Sequence, residues 1–185
     1  NITFVASAAA FARTGAQVTL VDVDQQSGLL NKEILRIATE QNPPPPDKQM
    51  AIVVVHLGGR YVNVGEMREA FPEALIIEDC SHCFGSEYAK NKFIGDCAYS
   101  DACTFSFHAT KTIAGGEGGA ITTKCPHLMD EIKILKSHGI RQLAAAKQSR
   151  MFDVAEPATN ARLPEIVACL INAQVNDLQW IKKER

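Results

Sequence analysis

The hydrophobic positions of this chain follow two different periods that alternate along the sequence. "AIVVVHL" (51–57) is an almost continuous β-branched run, which is typical of a strand covered on both faces. "SGLLNKEILRIATEQ" (27–41) spaces its apolar residues three and four apart and predicts a helix, with Ser27 as the candidate cap. The intervening "NPPPPDKQ" predicts an irregular connection, because proline lacks the N–H that helices and central strands require.

The same alternation continues on both sides of this region. Further helices are predicted in "FVASAAAFARTG" (4–15, ending at a glycine), "NVGEMREAFPE" (63–73), "HLMDEIKILKSHG" (127–139) and "LPEIVACLINAQVNDLQWIKKER" (163–185). Further strands are predicted in "AQVTLVDVD" (16–24), "ALIIED" (74–79), "DACTFSF" (101–107) and "GAITTK" (119–124). Strands that alternate with helices indicate an α/β domain, a mostly parallel sheet with helices on both faces.

Composition and charge narrow the classes of partner. The 185 residues suffice for one domain, and the net charge of -2 offers no basic surplus for nucleic acid or an anionic membrane. The apolar runs have the length of strands and are too short to span a bilayer. The opening "NITFVASAAAFARTG" lacks the basic start of a signal peptide, so a cytoplasmic location is expected.

Six cysteines favour reduced thiols over a metal site or a redox pair. Several of them occupy apolar, strand-like contexts, where a free cysteine behaves as a small hydrophobic residue. "CSHC" (80–83) has the spacing of a C-x-x-C motif, but a structural zinc site needs a second pair, which the sequence does not offer. A thioredoxin-type pair would normally open a helix after a strand. We therefore expect no metal.

Two charged residues follow neighbouring predicted strands. Asp79 ends the strand "LIIED", and Lys111 follows the next strand in a glycine-rich stretch, "FSFHATKTIAGGEGG". Alone, Asp79 is explained as a helix cap and Lys111 as a solvated lysine. Because ligands bind beyond the carboxyl ends of parallel strands, the two together predict one cleft. The pairing suits pyridoxal phosphate (PLP): lysine bonds the aldehyde covalently, and aspartate holds the proton of the ring nitrogen.

Three motifs add a family resemblance. "EDCSHCFGSEY", "FSFHATKTIAGGEGGAITT" and "NARLPEIVACLINAQ" resemble the DegT/DnrJ/EryC1/StrS family of PLP-dependent sugar aminotransferases of fold type I. "TFVASAAAFARTGAQVTLVDVD" and "AIVVVHLGG" resemble it too, so that the likeness covers essentially the whole chain. It implies transfer of an amino group, with glutamate as the expected donor, to a keto-sugar carried by a nucleotide.

The resemblance also implies roles for individual residues. Lys111 matches the Schiff-base lysine, Asp79 the partner of the ring nitrogen, and His82 a residue near the ring and its phenolic oxygen. Ser106 matches a serine that binds the cofactor phosphate, and Asn160 an asparagine that reaches the phosphate of the neighbouring subunit, which implies a homodimer. Without the family, His82 and Ser106 are explained by bonds to backbone. Outside this set, His108 and Glu117 are expected to position the loop, and Arg162 receives no role.

Differences from the family leave alternatives open. Family members are about twice this long, so residues 1–185 are expected to form a partial PLP-binding large domain without the small C-terminal domain. "HLGGRYVN" also departs from the usual proline-containing version. One alternative is a catalytically silent fold that binds or oligomerises. Another is a PLP-dependent sugar dehydratase, against which Lys111 argues, because those relatives have histidine at that position.

Overall fold

A computed structural model describes residues 2–142 and 152–184. The helices are α1 (Ala6–Ala12), α2 (Lys32–Gln41), α3 (Val64–Ala70), α4 (Pro126–Leu135), α5 (Glu165–Asn176) and α6 (Leu178–Glu184). The strands are β1 (Ala51–Val55), β2 (Leu75–Asp79), β3 (Glu87–Ala89), β4 (Lys92–Phe93), β5 (Ala102–Ser106), β6 (Gly119–Thr122), β7 (Ile140–Gln142) and β8 (Phe152–Val154). Across the described ranges, every helix is too short or too polar to cross a membrane.

A four-stranded sheet forms the centre of the molecule, in the order β1-β2-β5-β6. β1 and β5 both pair with β2 in parallel, and β6 joins β5 as an antiparallel edge strand. The parallel register sets Val55 beside Asp79 and Asp79 beside Thr104. The predicted α/β fold with a mostly parallel sheet is therefore confirmed.

The two faces of this sheet differ in burial. Ile52, Val54 and Ile76 are buried on one face, where Leu35 of α2 and Met67 of α3 cover them. Alternation along the strands sends Asp79 to the opposite face, where it meets α1 through Ser7. The face opposite the α2–α3 core therefore carries the Asp79 carboxylate.

A buried polar network lies on the α2–α3 face, at the carboxyl ends of β1 and β2. His56 accepts the Val62 N–H at Nδ1 (3.1 Å), so its neutral ring donates from Nε2 to Glu78 Oε2 (2.7 Å). The other Glu78 oxygen accepts from Ser100 and from the Cys103 thiol. Burial raises the pKa of Glu78, but the hydrogen bonds from His56 and Ser100 outweigh it and hold that pKa below its usual value. Glu78 is thus a satisfied, buried carboxylate.

The cysteines pack as apolar groups around this network. Cys80, Cys83, Cys97 and Cys103 are buried in one cluster with Ile94. Burial raises the pKa of Cys83 to about 11, and a hydrogen bond with Cys80 raises the pKa of Cys103 to about 12, so both are protonated at neutral pH. Within the described ranges, one set of metal-type ligand atoms lies within 4.8 Å, from His56, Glu78 and Cys80. Its imidazole and carboxylate already bond each other.

Several predicted elements differ from the structure. The strand predicted for 16–24 is wrong: this stretch is mostly exposed and pairs with no strand among the described residues, and an isolated strand leaves its N–H and C=O groups unbonded. Asn31, not Ser27, caps α2 by accepting the Ile34 N–H. The long C-terminal helix is divided into α5 and α6 at Asp177. The short pairs β3–β4 and β7–β8 were not predicted.

Candidate functional site

The carboxyl ends of β2 and β5 bring charged groups together. Asp79 is the last residue of β2, and Lys111 follows β5 in a loop in which its N–H bonds the His108 carbonyl (2.9 Å). His82 lies close enough to both to respond to their charges. Burial lowers the pKa of His82, the Lys111 ammonium lowers it further, and the Asp79 carboxylate raises it. His82 therefore lies near both charged residues of the predicted cleft.

The Asp79 carboxylate is held by hydroxyl and amide donors. Ser81 donates its hydroxyl (2.6 Å) and its N–H (3.1 Å) to Oδ1. Ser7 of α1 donates its hydroxyl to Oδ2 (2.6 Å), and the Thr3 hydroxyl lies 2.7 Å from the Ser7 oxygen. The Ser81 N–H bond closes a local turn, and residues 80–86 form turns and no helix, so the interpretation of Asp79 as a helix cap is wrong. The Ser7 bond is not local, and it was not predicted from the sequence.

A backbone donor fixes the orientation of the His82 ring. The Gly58 N–H donates to His82 Nδ1 (3.3 Å), so the neutral ring carries its proton on Nε2. Gly58 has a φ of 61°, in the left-handed region that glycine tolerates best. The backbone-bonded interpretation of His82 therefore holds for Nδ1, while Nε2 is left as the donor toward ligands.

The hydroxyl of Ser106 lies on the same face of the sheet as Asp79. Alternation along β5 puts Thr104, the register partner of Asp79, and Ser106 on one side. Ser106 Oγ accepts the His108 N–H (3.3 Å), which leaves its own proton to donate. His108 also contacts the Thr110 hydroxyl at 3.0 Å and lies 4.0 Å from Glu117. These contacts join the two ends of the loop 108–117 that contains Lys111, which is called the lysine loop below. They agree with the expected positioning role of His108 and Glu117.

Helix α5 packs against the lysine loop and forms hydrogen bonds to its backbone. The Gln174 amide donates to the Ala114 carbonyl (2.6 Å) and accepts the Ala114 N–H (3.0 Å), as a neighbouring strand would. A Cβ on Gly115 would lie 2.6 Å from Val167 and 3.0 Å from Ile171, so α5 approaches this closely only because residue 115 is glycine. Gln174 is a second residue whose contact the sequence did not predict.

Asn160 lies in a different hydrogen-bonded unit. Its Oδ1 accepts the N–H of Arg162 (3.3 Å) and the Arg162 Nε–H (3.0 Å), and residue 160 forms a bridge with Ser137. The structure therefore brings the charges of Asp79 and Lys111 near His82 and places Ser106 on the same sheet face as Asp79. It pairs Asn160 with Arg162 instead.

These residues offer the donors and acceptors that PLP requires. Lys111 supplies an amine. Asp79 supplies a carboxylate whose orientation is held by hydrogen bonds from two serines. His82 and Ser106 each have one side bonded to backbone and one proton to donate. An amine, an acceptor for a ring N–H and donors for anionic oxygens form the set that this cofactor uses. The residues present therefore fit PLP.

Comparison with known proteins gives the same result over the whole chain. The model of the DegT/DnrJ/EryC1/StrS aminotransferase family matches residues 1–185. The UDP-4-amino-4,6-dideoxy-N-acetyl-beta-L-altrosamine transaminase of Campylobacter jejuni serotype O:23/36 is 34% identical over 186 residues, which cover 100% of this chain and 46% of that protein. The chain thus spans about half the length of the curated relatives it matches.

Solved structures agree in fold. Helicobacter pylori PseC, an aminotransferase involved in the biosynthesis of pseudoaminic acid, superposes with a TM-score of 0.82 at 29% identity, over 97% of this chain and 45% of its own. Spr1654 from Streptococcus pneumoniae, solved in PMP and PLP forms, gives TM-scores of 0.80 and 0.78 at 25% identity, over 96% of this chain and 49% and 47% of its own. The chain belongs to the DegT/DnrJ/EryC1/StrS aminotransferase family.

Proposed function

We propose that residues 1–185 form the PLP-binding part of the large domain of an aminotransferase. This enzyme transfers an amino group from an amino acid, glutamate in our proposal, to a nucleotide-linked keto-sugar. The observation that carries the proposal is the placement of Asp79 at the end of β2 and of Lys111 after β5, the neighbouring parallel strand. Ligands of parallel sheets bind beyond the carboxyl ends of the strands, which is where both charged residues lie.

Each residue then has a chemical task. When bound, PLP supplies an aldehyde and a protonated ring that withdraws electrons from the reacting carbon. Asp79 would hold the ring proton, and the Lys111 amine would attach to the aldehyde with loss of water and, when displaced by the substrate amine, would carry a proton. The lowered pKa of His82 keeps its ring neutral at pH 7, so Nε2 donates to the phenolic oxygen. Ser106 donates to the phosphate.

We propose a homodimer, in which Asn160 reaches the partner's cofactor phosphate. Exposed apolar side chains on α5 and α6 support a covered surface there, since Ile166 is 85% exposed and Trp180 65% exposed. We also propose a cytoplasmic location, which is supported by six cysteines that are all free thiols.

Borohydride reduction followed by mass spectrometry tests the proposed function, on the whole natural protein incubated with PLP. We expect the reduced adduct on Lys111 in the wild type and its loss in Lys111→Ala. Lys124→Ala is the matched control, and it should leave the adduct in place. Asp79→Ala should retain some adduct while transamination from glutamate falls at least about a thousandfold, because the ring proton is no longer held. An adduct on another lysine, or none in the wild type, contradicts the proposal.

A further inference from the structure

Helix α1 contributes a hydroxyl to the candidate site. Ser7 donates to Asp79 Oδ2 at 2.6 Å, from a helix 72 residues earlier in the sequence. Ser7 is half-buried, although α1 contains no fully buried residue. A serine on a weakly packed helix therefore makes a short hydrogen bond to the carboxylate at the centre of the site.

The direction of the hydrogen bonds follows from the charge of the carboxylate. An ionised carboxylate accepts only, so the Ser7 hydroxyl must donate its proton to Asp79. The Ser7 oxygen then accepts from the Thr3 hydroxyl, 2.7 Å away. The hydrogen bond from Thr3 thus polarises the Ser7 hydroxyl, and the Ser7 hydroxyl holds Asp79 Oδ2 in place.

Counting acceptor positions shows what remains for a ligand. A carboxylate offers about four acceptor positions, two on each oxygen. Among the described residues, Ser81 fills two on Oδ1 with its hydroxyl and its N–H, and Ser7 fills one on Oδ2. The position that is left belongs to Oδ2, the oxygen that Ser7 orients.

We propose that Ser7, supported by Thr3, is a positioning residue that turns Asp79 so that Oδ2 receives the ring N–H of PLP. This inference rests on the proposed function and extends it to α1. Without the Ser7 hydroxyl, Asp79 rotates about its side-chain bonds more freely, and the ring proton is held less firmly. Ser81 has a smaller effect, because its N–H remains on Oδ1 when its hydroxyl is removed.

The experiment compares Ser7→Ala, Ser7→Thr and Ser81→Ala in the whole natural protein. The PLP dissociation constant is measured by titrating apoprotein, and the ring-nitrogen chemical shift is measured with ¹⁵N-labelled PLP. For Ser7→Ala we expect an approximately tenfold higher dissociation constant, as for loss of one hydrogen bond to a charged group, and a shift toward the unprotonated ring. Ser81→Ala should raise it about threefold, and Ser7→Thr should restore the wild-type values.

Each outcome decides the inference. Wild-type affinity and ring-nitrogen shift in Ser7→Ala overturn it, and so does an equal or larger effect of Ser81→Ala. If Ser7→Ala fails to fold, by its melting curve, Thr3→Val decides instead: a two- to threefold rise supports the inference, and no change overturns it. A wild type without the Lys111 adduct contradicts the proposed function and this role together. A wild type that forms the adduct beside an unaffected Ser7→Ala contradicts this role alone.

Discussion

Glu78 and Asp79 are adjacent carboxylates of β2 that lie in opposite surroundings. Glu78 is 6% exposed on the α2–α3 face, where His56, Ser100 and Cys103 donate to both of its oxygens. Asp79 is half-buried on the other face, held by Ser7 and Ser81. Alternation along a strand turns neighbouring residues to different sides and so assigns them to different environments.

The difference shows how a structural carboxylate is distinguished from a functional one. Glu78 also keeps one acceptor position, on Oε2, but its side chain is buried and a ligand does not reach it. The network around Asp79 leaves a position on Oδ2 and lies beside a lysine and a histidine of low pKa. A hydrogen-bonded carboxylate that is buried stabilises the fold, whereas one whose remaining acceptor position lies on an accessible face can bind a ligand.

The largest expected effect separates these two residues by stability. Glu78→Ala should lower the free energy of unfolding by about 3 kcal/mol, because it leaves the buried His56, Ser100 and Cys103 donors without their acceptor. In a chain of this size that is roughly 10 °C in Tm. Asp79→Ala, the matched control one residue away, should cost under about 1 kcal/mol, because its donors reach water. Thermal melts of both variants measure the difference, and equal losses would contradict the distinction.

The sequence predicted the parallel strands of the central sheet well because each of the three contains buried residues. β1, β2 and β5 lie within the apolar runs predicted for them, and Asp79 and Lys111 follow the strands as the parallel topology requires. The prediction failed at 16–24, whose alternating pattern is that of a strand but whose pairing depends on a distant partner. Local pattern measures burial, whereas a strand also needs hydrogen bonds from elsewhere.

Within the candidate site, too, local pattern did not reveal hydrogen bonds to residues that are distant in sequence. The strand-end rule and the family motifs indicated Asp79, His82, Ser106 and Lys111. Ser7 and Gln174 were missed because their partners are 72 and 60 residues away in sequence. A serine in an alanine-rich helix and a glutamine in an amphipathic one carry no signal of such contacts.

An intermediate effect is expected where α5 meets the lysine loop. Gln174→Ala removes both hydrogen bonds to Ala114 and should lower the free energy of unfolding by about 1–2 kcal/mol. It should also speed hydrogen exchange of the Ala114 amide several-fold, because the loop opens locally with its α5 contact removed. Asn172→Ala, an exposed polar residue of the same helix, is the control and should leave both quantities unchanged. Unchanged exchange at Ala114 in Gln174→Ala would show that the apolar contact at Gly115 alone holds the loop.

The smallest expected effect concerns the pH dependence of the Asp79 side of the sheet. Because burial and Lys111 lower the pKa of His82 below its ordinary 6.5, the unfolded chain binds this proton more readily than the folded one. Its contribution to stability is therefore complete above about pH 6.5 and declines as the pH falls below that value. His82→Gln removes this titration, so its Tm should fall less than the wild-type Tm between pH 7.5 and 5.5, by about 1 °C for so exposed a group. His127→Gln, an exposed histidine of α4, is the control and should follow the wild type. The same pH dependence in His82→Gln and the wild type would show that burial and Lys111 do not lower the pKa of His82, and the donor assigned to Nε2 at pH 7 would lose its basis.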